Sequence, residues 1–408
     1  MTKTLMKKYA SLIVKTGINI KKGQPVRIIC EADQFEFITI LVNECYKAGA
    51  SRVDIDWGFQ AVTKLDYKYR SLKSLSEVPK WKEEKLKNMV EEVPCRIYIE
   101  SEDPDGLNGV DREKMQKSSV ERYKVTKKYS DALENKDQWC IAAVPSYAWA
   151  KKVFPGERKQ KAYDMLWDAI LKTVYVTKDN DPKEEWKKHN SDLKKRCSYL
   201  NEKKFDYLTY KSKNGTDFKV SLIPEGKWCG GGEYTLGGNF FNPNLPSEEV
   251  FISPKKGFAE GKVVATKPLS YQGQLIENFS ITFKDGKAYE WEAEKGGDLL
   301  DKMLSTDEGA KFLGEVALIP QKSPIADTGI LFYNTLFDEN ASCHVALGRG
   351  FCDTIDGFEN KTLEECQALG VNDSMIHVDF MIGADDMEIT GFKNGKACKI
   401  FEKGNWAF

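Results

Sequence analysis

Residues 25–57, PVRIICEADQFEFITILVNECYKAGASRVDIDW, decide the fold of the first half of the chain. Pro25-Val-Arg-Ile-Ile-Cys30 is a short β-branched run bounded by Gly23 and Asp33, which predicts a strand. Phe37, Ile40, Leu41 and Cys45 then recur at helical spacing, with Asp33 placed to cap that helix. Past Gly49, Val53-Asp-Ile-Asp-Trp57 alternates apolar and charged residues, the period of a second strand. Strand, helix and strand joined by short links form a βαβ unit, and such units build parallel sheets. Upstream, Leu5, Tyr9, Leu12 and Ile13 mark a helix, and Gly17 stands where a left-handed glycine would end it. Downstream, Arg96-Ile-Tyr-Ile-Glu100 and Cys140-Ile-Ala-Ala-Val144 are further buried-strand candidates. The N-terminal half therefore reads as α/β, a parallel sheet with helices. No G-x-G-x-x-G follows its first strand and no phosphate-binding glycine loop is present; Gly230-Gly231-Gly232 reads as a turn.

The texture changes after a charged helical segment, Pro182 to Lys204. From Tyr207 onward the dipeptides Asn214-Gly215, Asp285-Gly286 and Asn394-Gly395 fall between alternating segments, each a hairpin signal. The expected organisation is an α/β domain over residues 1–200 and a β-rich domain, α+β and partly barrel-like, over residues 201–408.

At 408 residues, with 41% hydrophobic and 30% charged, the chain has core material for two soluble domains. Its 61 Lys and Arg nearly cancel its 62 Asp and Glu, so no basic surplus exists to hold a phosphate backbone. Nucleic acid is thereby disfavoured as a partner. No apolar run approaches the ~20 residues that span a bilayer, and the N-terminus lacks the apolar core of a secretory signal. The ten cysteines form no C-x-x-C pair and read as reduced thiols of a cytoplasmic protein.

Chemistry concentrates in the second half. In Met375-Ile-His-Val-Asp-Phe-Met-Ile382, strand alternation puts Ile376, Val378, Phe380 and Ile382 on one apolar face. The other face then presents His377 and Asp379 together. Burying two ionisable groups there is costly unless they pair or bind a metal. Glu315 is the only charge in the apolar strand Gly314-Glu-Val-Ala-Leu-Ile-Pro320, and His344 is likewise alone in Asn340-Ala-Ser-Cys-His-Val-Ala-Leu-Gly348. Glu248 and Glu249 head a further strand, and the residues alone do not say which turns inward. His189 lies in a charged run and reads as solvated surface. Three carboxylates and two imidazoles exceed the ligand set of one catalytic zinc and suit two divalent ions, zinc, cobalt or manganese.

The segments Asn244–Phe251, Ala265–Tyr271, Gly314–Pro320, Leu331–His344 and His377–Gly383 resemble the signature blocks of the aminopeptidase S and aminopeptidase T family of metallopeptidases. Trp139–Pro145 and Gly404–Phe408 add to the likeness, which covers essentially the whole chain. The resemblance implies a two-metal enzyme that removes N-terminal residues from peptides, built as a homodimer that encloses its sites. It implies Glu249, Glu315, His344, His377 and Asp379 as metal ligands, choosing Glu249 over Glu248, with Glu315 or Glu249 as proton carrier. The family pattern also places a catalytic tyrosine seven residues after the histidine of Ala-Ser-Cys-His, and here that position is Phe351. A phenyl ring donates no hydrogen bond to a tetrahedral oxyanion. The alternatives are thus a catalytically weakened metal-binding homologue, or another metallohydrolase such as an amidase or esterase.

Overall fold

A computed structural model describes all residues, Met1–Phe408. The chain divides into two compact units, Met1–Lys188 with Gly232–Pro246, and His189–Gly231 with Ser247–Phe408. The division falls inside the helix Pro182–Lys203, and a short excursion returns to the first unit after residue 231. No helix is long and apolar enough to cross a membrane.

In the first unit, strands β1 (Pro25–Glu31), β2 (Arg52–Gly58), β3 (Cys95–Glu100) and β4 (Trp139–Ala143) pair in parallel in the order β2-β1-β3-β4. The two-residue strand Asn244–Leu245 adds to β4, also in parallel. Val26, Ile28 and Cys30 are the buried positions of β1, alternating with partly exposed ones as a period of two requires. The helix Phe35–Lys47 follows β1, but Asp33 does not cap it; its carboxylate accepts from the Gln34 side chain at 3.1 Å within a 3-10 turn. The first helix runs from Lys3 to Leu12 and continues as a π-turn to Gly17. Gly17 serves close packing rather than a left-handed cap: a Cβ there would lie 2.7 Å from the Cys140 sulfur.

The second unit is antiparallel throughout. A nine-stranded sheet carries the three hairpins whose turns the sequence marks at Asn214-Gly215, Asp285-Gly286 and Asn394-Gly395. At the latter two turns both residues have positive φ, as a type I′ hairpin demands. A smaller sheet has the order β5 (Val250–Ile252), β6 (Leu313–Leu318), β7 (His344–Gly348), β8 (His377–Met381). One face of this sheet, with Val316, Leu318, Val345, Leu347, Val378 and Phe380, joins a single apolar core with residues of the larger sheet. Phe380 meets Phe279 there at a ring separation of 5.3 Å. All ten cysteines are free thiols, eight of them buried.

One core residue carries a defect. Tyr210 is fully buried and its hydroxyl has no hydrogen-bond partner. Leaving a buried hydroxyl unpaired costs about 1–3 kcal/mol, while its removal keeps the ring packing. Tyr210→Phe should therefore raise stability by about 1 kcal/mol, read as a higher denaturant midpoint at unchanged m-value. A lower midpoint would show that the hydroxyl is satisfied in solution.

Candidate metal centre

The face of the smaller sheet opposite its core carries the ionisable residues. The pairings Glu315↔Ala346 and Ala346↔Asp379 align three strands in one row, with a small alanine between two carboxylates. The row Ala317–His344–Met381 lies on one side of it and the pair Gly348–His377 on the other. Side chains two residues apart on a strand share a face, so Glu315, His344, His377 and Asp379 converge. Alanine and glycine at the intervening positions leave the space they occupy. Gly348 has φ +103°, and a Cβ would sit 2.0 Å from the Ile376 carbonyl oxygen.

Glu249 arrives from the start of β5. Its Oε2 lies 3.4 Å from His344 Nε2, and Glu248 turns the other way, toward His189 at 4.0 Å. The carboxylate choice that alternation leaves open is made by tertiary contacts. His189 Nε2 lies 2.7 Å from the Ser247 carbonyl oxygen, and the Glu248 amide donates to Asn340 Oδ1 at 2.8 Å. His189 is thus no solvated surface residue: its side chain is only 12% exposed, and it orients the segment that delivers Glu249.

Two triads result. Glu249, Glu315 and His344 present ligand atoms within 4.8 Å of one another, and so do Glu315, His377 and Asp379. Glu315 belongs to both, its Oε1 at 3.6 Å from His344 Nε2 and its Oε2 at 3.3 Å from His377 Nε2. Each imidazole is oriented from behind. His344 Nδ1 lies 2.9 Å from the Glu339 carbonyl oxygen, and His377 Nδ1 lies 2.7 Å from that of Arg349. A backbone acceptor at Nδ1 fixes that nitrogen as the donor and leaves Nε2 facing the carboxylates.

Burial opposes charge on both imidazoles, yet the facing carboxylates outweigh it and hold each well above the usual histidine range. Burial likewise opposes the charge on Asp379, but the two histidines, His377 foremost, bring it down to about 2. Burial and the neighbouring Glu315 and Asp379 push Glu249 upward. Asp379 Oδ1 is nonetheless a buried oxygen with no hydrogen-bond partner. An orphaned carboxylate oxygen, facing imidazole nitrogens at 3.4–3.7 Å, is what a cation-binding set leaves when the cation is not counted. The donor mixture fits borderline divalent ions.

Sequence reasoning missed Glu339. Its carboxyl group hydrogen-bonds Asp379, and burial with the surrounding carboxylates pushes it well above the usual range. A bond between two carboxyl groups requires that they share a proton. Asp338 anchors the loop before it by accepting from the Phe332 and Asn334 amides at 2.8 and 3.0 Å. Phe351 sits beside the second triad, its ring centroid 4.7 Å from that of His377.

Residues 2–406 match the thermophilic metalloprotease (M29) family. The chain is 39% identical over 402 residues to aminopeptidase AmpS of Bacillus subtilis, covering 98% of each. It is 35% identical over 403 residues to aminopeptidase T of Thermus thermophilus, again covering 98% of each. The solved structure of wild-type AmpT from Thermus thermophilus superposes with a TM-score of 0.91 at 34% identity, over the full length of both chains.

Proposed function

The chain belongs to the thermophilic metalloprotease (M29) family and is a metalloaminopeptidase, and on that premise we propose how its second unit does the work. Two divalent ions, zinc, cobalt or manganese, would be held by two sets of residues, Glu249, Glu315 and His344, and Glu315, His377 and Asp379. The observation that carries this reading is the position of Glu315, one carboxylate with an oxygen toward each histidine. Bound there, such ions supply Lewis acidity toward a peptide carbonyl and lower the pKa of a water.

The chain's own groups divide the remaining tasks. A free α-amino group would be held there as the neutral amine, which selects N-termini. Backbone carbonyls behind His344 and His377 hold both imidazoles in the tautomer that presents Nε2. Glu249 and Glu315, the proton carriers expected from the sequence, both stand inside the triads. Glu339, outside them and hydrogen-bonded to Asp379, is a further candidate to carry a proton, its carboxyl group pushed upward by burial and the surrounding carboxylates.

The test is release of N-terminal amino acids from a short peptide panel by chelated protein, before and after each metal is restored. Metal-dependent release from free but not N-acetylated peptides is expected; release unaffected by chelation would defeat the reading. We also propose a homodimer. The helix Gln60–Tyr69 has no buried residue, and its apolar Val62, Leu65 and Tyr69 are each at least 50% exposed. An uncovered apolar stripe is a surface for a second copy. Sedimentation of the wild type and of Leu65→Glu checks this, a monomer in the wild type being the contrary result.

The shifted histidines set a pH dependence. With folded values above the unfolded one of about 6.5, the imidazolium–carboxylate pairs stabilise metal-free protein fully below about pH 6.5. That contribution is lost as pH rises through the raised values. Metal needs the neutral imidazoles, so its binding displaces these protons and tightens by up to about tenfold per pH unit for each one. The thermal stabilisation by added metal should therefore grow from about pH 6 to about pH 8. A flat or falling increment would show that neither histidine is a ligand.

A further inference from the structure

The segment Ala265–Tyr271 supplies no ligand to the metal centre, yet it is fastened to the strand that carries two of them. β8 is the edge of the smaller sheet, which leaves its outer side open to a further segment. Thr266 occupies that side: its amide donates to the Met381 carbonyl at 2.8 Å and its hydroxyl to the same oxygen at 3.3 Å. Met381 stands two residues past Asp379 and pairs with His344, so its side chain shares the face of the ligands. The Ala265 amide donates to the Phe279 carbonyl at 2.9 Å, which ties the segment to the larger sheet as well.

Lys267 comes next. It is half-buried, and its ammonium makes no hydrogen bond and no ion pair within the chain. Burial pulls it below the ordinary lysine value, and the charge of Asp338 works against this. Asp338 is not in contact with it: that carboxylate is engaged by the Phe332 and Asn334 amides at 2.8 and 3.0 Å. Asp338 precedes Glu339, whose carboxyl group reaches Asp379. Two independent links, Thr266 to Met381 and Lys267 to Asp338, thus put the lysine beside the metal centre and outside both triads. Drawing an ammonium out of water without a partner is costly, and an anion set against it would offset that cost.

We propose that Lys267 takes the C-terminal carboxylate of a short peptide whose amine lies at the metal centre, which makes the enzyme selective for di- and tripeptides with a free C-terminus. The inference rests on the aminopeptidase reading above and names its substrate class. Two residues of extended strand put Met381 about 7 Å from Asp379, which is also the span of a dipeptide. A carboxylate one or two residues beyond the scissile bond therefore falls at the level of β8 where Thr266 is fastened. The oxyanion of the reaction is a poorer match, since it develops among the triads and Lys267 bonds none of their residues.

The test compares Leu-Ala and Leu-Ala-Ala, each as the free acid and as the C-terminal amide, with metal-loaded, full-length protein. The wild type is expected to favour the free acid by about tenfold or more in kcat/KM, at one length at least, with the difference carried by KM. Lys267→Met keeps the apolar stem of the side chain and removes its charge. In that variant the ratio of acid to amide should fall to near one, and Lys267→Arg should restore most of it. A role in folding alone would change acid and amide alike and leave the ratio intact. Equal kcat/KM for acid and amide in the wild type at both lengths, or a preference that survives in Lys267→Met, overturns the proposal. The amides tell its failure apart from that of the parent reading: if the wild type cleaves neither them nor the acids, the aminopeptidase reading falls and this one with it.

Discussion

Glu315→Gln should lower kcat/KM for peptide hydrolysis by about 10³-fold or more and reduce the bound metal below two ions per chain. The side chain is 4% exposed on a strand buried along its whole length, so glutamine keeps the volume that the buried face is packed around. What changes is charge and ligand strength. Glu315 alone belongs to both triads, and neutralising it weakens both at once. Loss of a divalent ion forfeits several kcal/mol of transition-state stabilisation, which at room temperature is on the order of 10³-fold in rate. Metal content by mass spectrometry and steady-state kinetics should fall together, with the unfolding transition of metal-free protein still cooperative. A variant that keeps two ions and a rate within about tenfold of wild type would remove Glu315 from the centre of the site.

Much of this centre was legible because strand alternation is a strict code. His377 and Asp379 had to share a face, and Val378 and Phe380 had to share the other, whatever the sheet around them. Lone charges in apolar strands, Glu315 and His344, marked themselves by the cost of burying them. The hairpins were legible from dipeptides that tolerate positive φ. Other features depend on contacts between segments distant in sequence. Glu248 and Glu249 are indistinguishable until His189 is placed against Ser247, 58 residues away. A signal for His189 did exist: it falls at helical spacing between Trp186 and Leu193, both buried, so its charged neighbours misrepresent it. Glu339 offers no such signal, because it sits in a 3-10 turn without a repeat. The strand Asn244–Leu245 is two residues long, too short for any period to reveal its pairing with β4.

Phe351→Tyr should raise kcat by about 10- to 100-fold while leaving metal content and KM nearly unchanged. The ring is already placed. Its backbone amide donates to Ser253 Oγ at 2.8 Å, and its carbonyl accepts from Thr354 Oγ1 at 2.6 Å, which pins position 351 from both sides. Its ring packs at 4.7 Å against that of His377, whose Nε2 faces Glu315 and Asp379. Tyrosine adds one phenolic donor to that half-buried ring and no charge. A single donor to a developing oxyanion is worth about 10²–10³ where an enzyme has evolved around it. The gain here should be smaller, since the surrounding groups are not arranged for the new hydroxyl. A donor used only in the transition state raises kcat without changing substrate affinity, so the split between kcat and KM separates this role from better binding. If kcat stays level with the hydroxyl present, the oxyanion is stabilised from elsewhere in the second unit, and phenylalanine at 351 is then no defect of this enzyme.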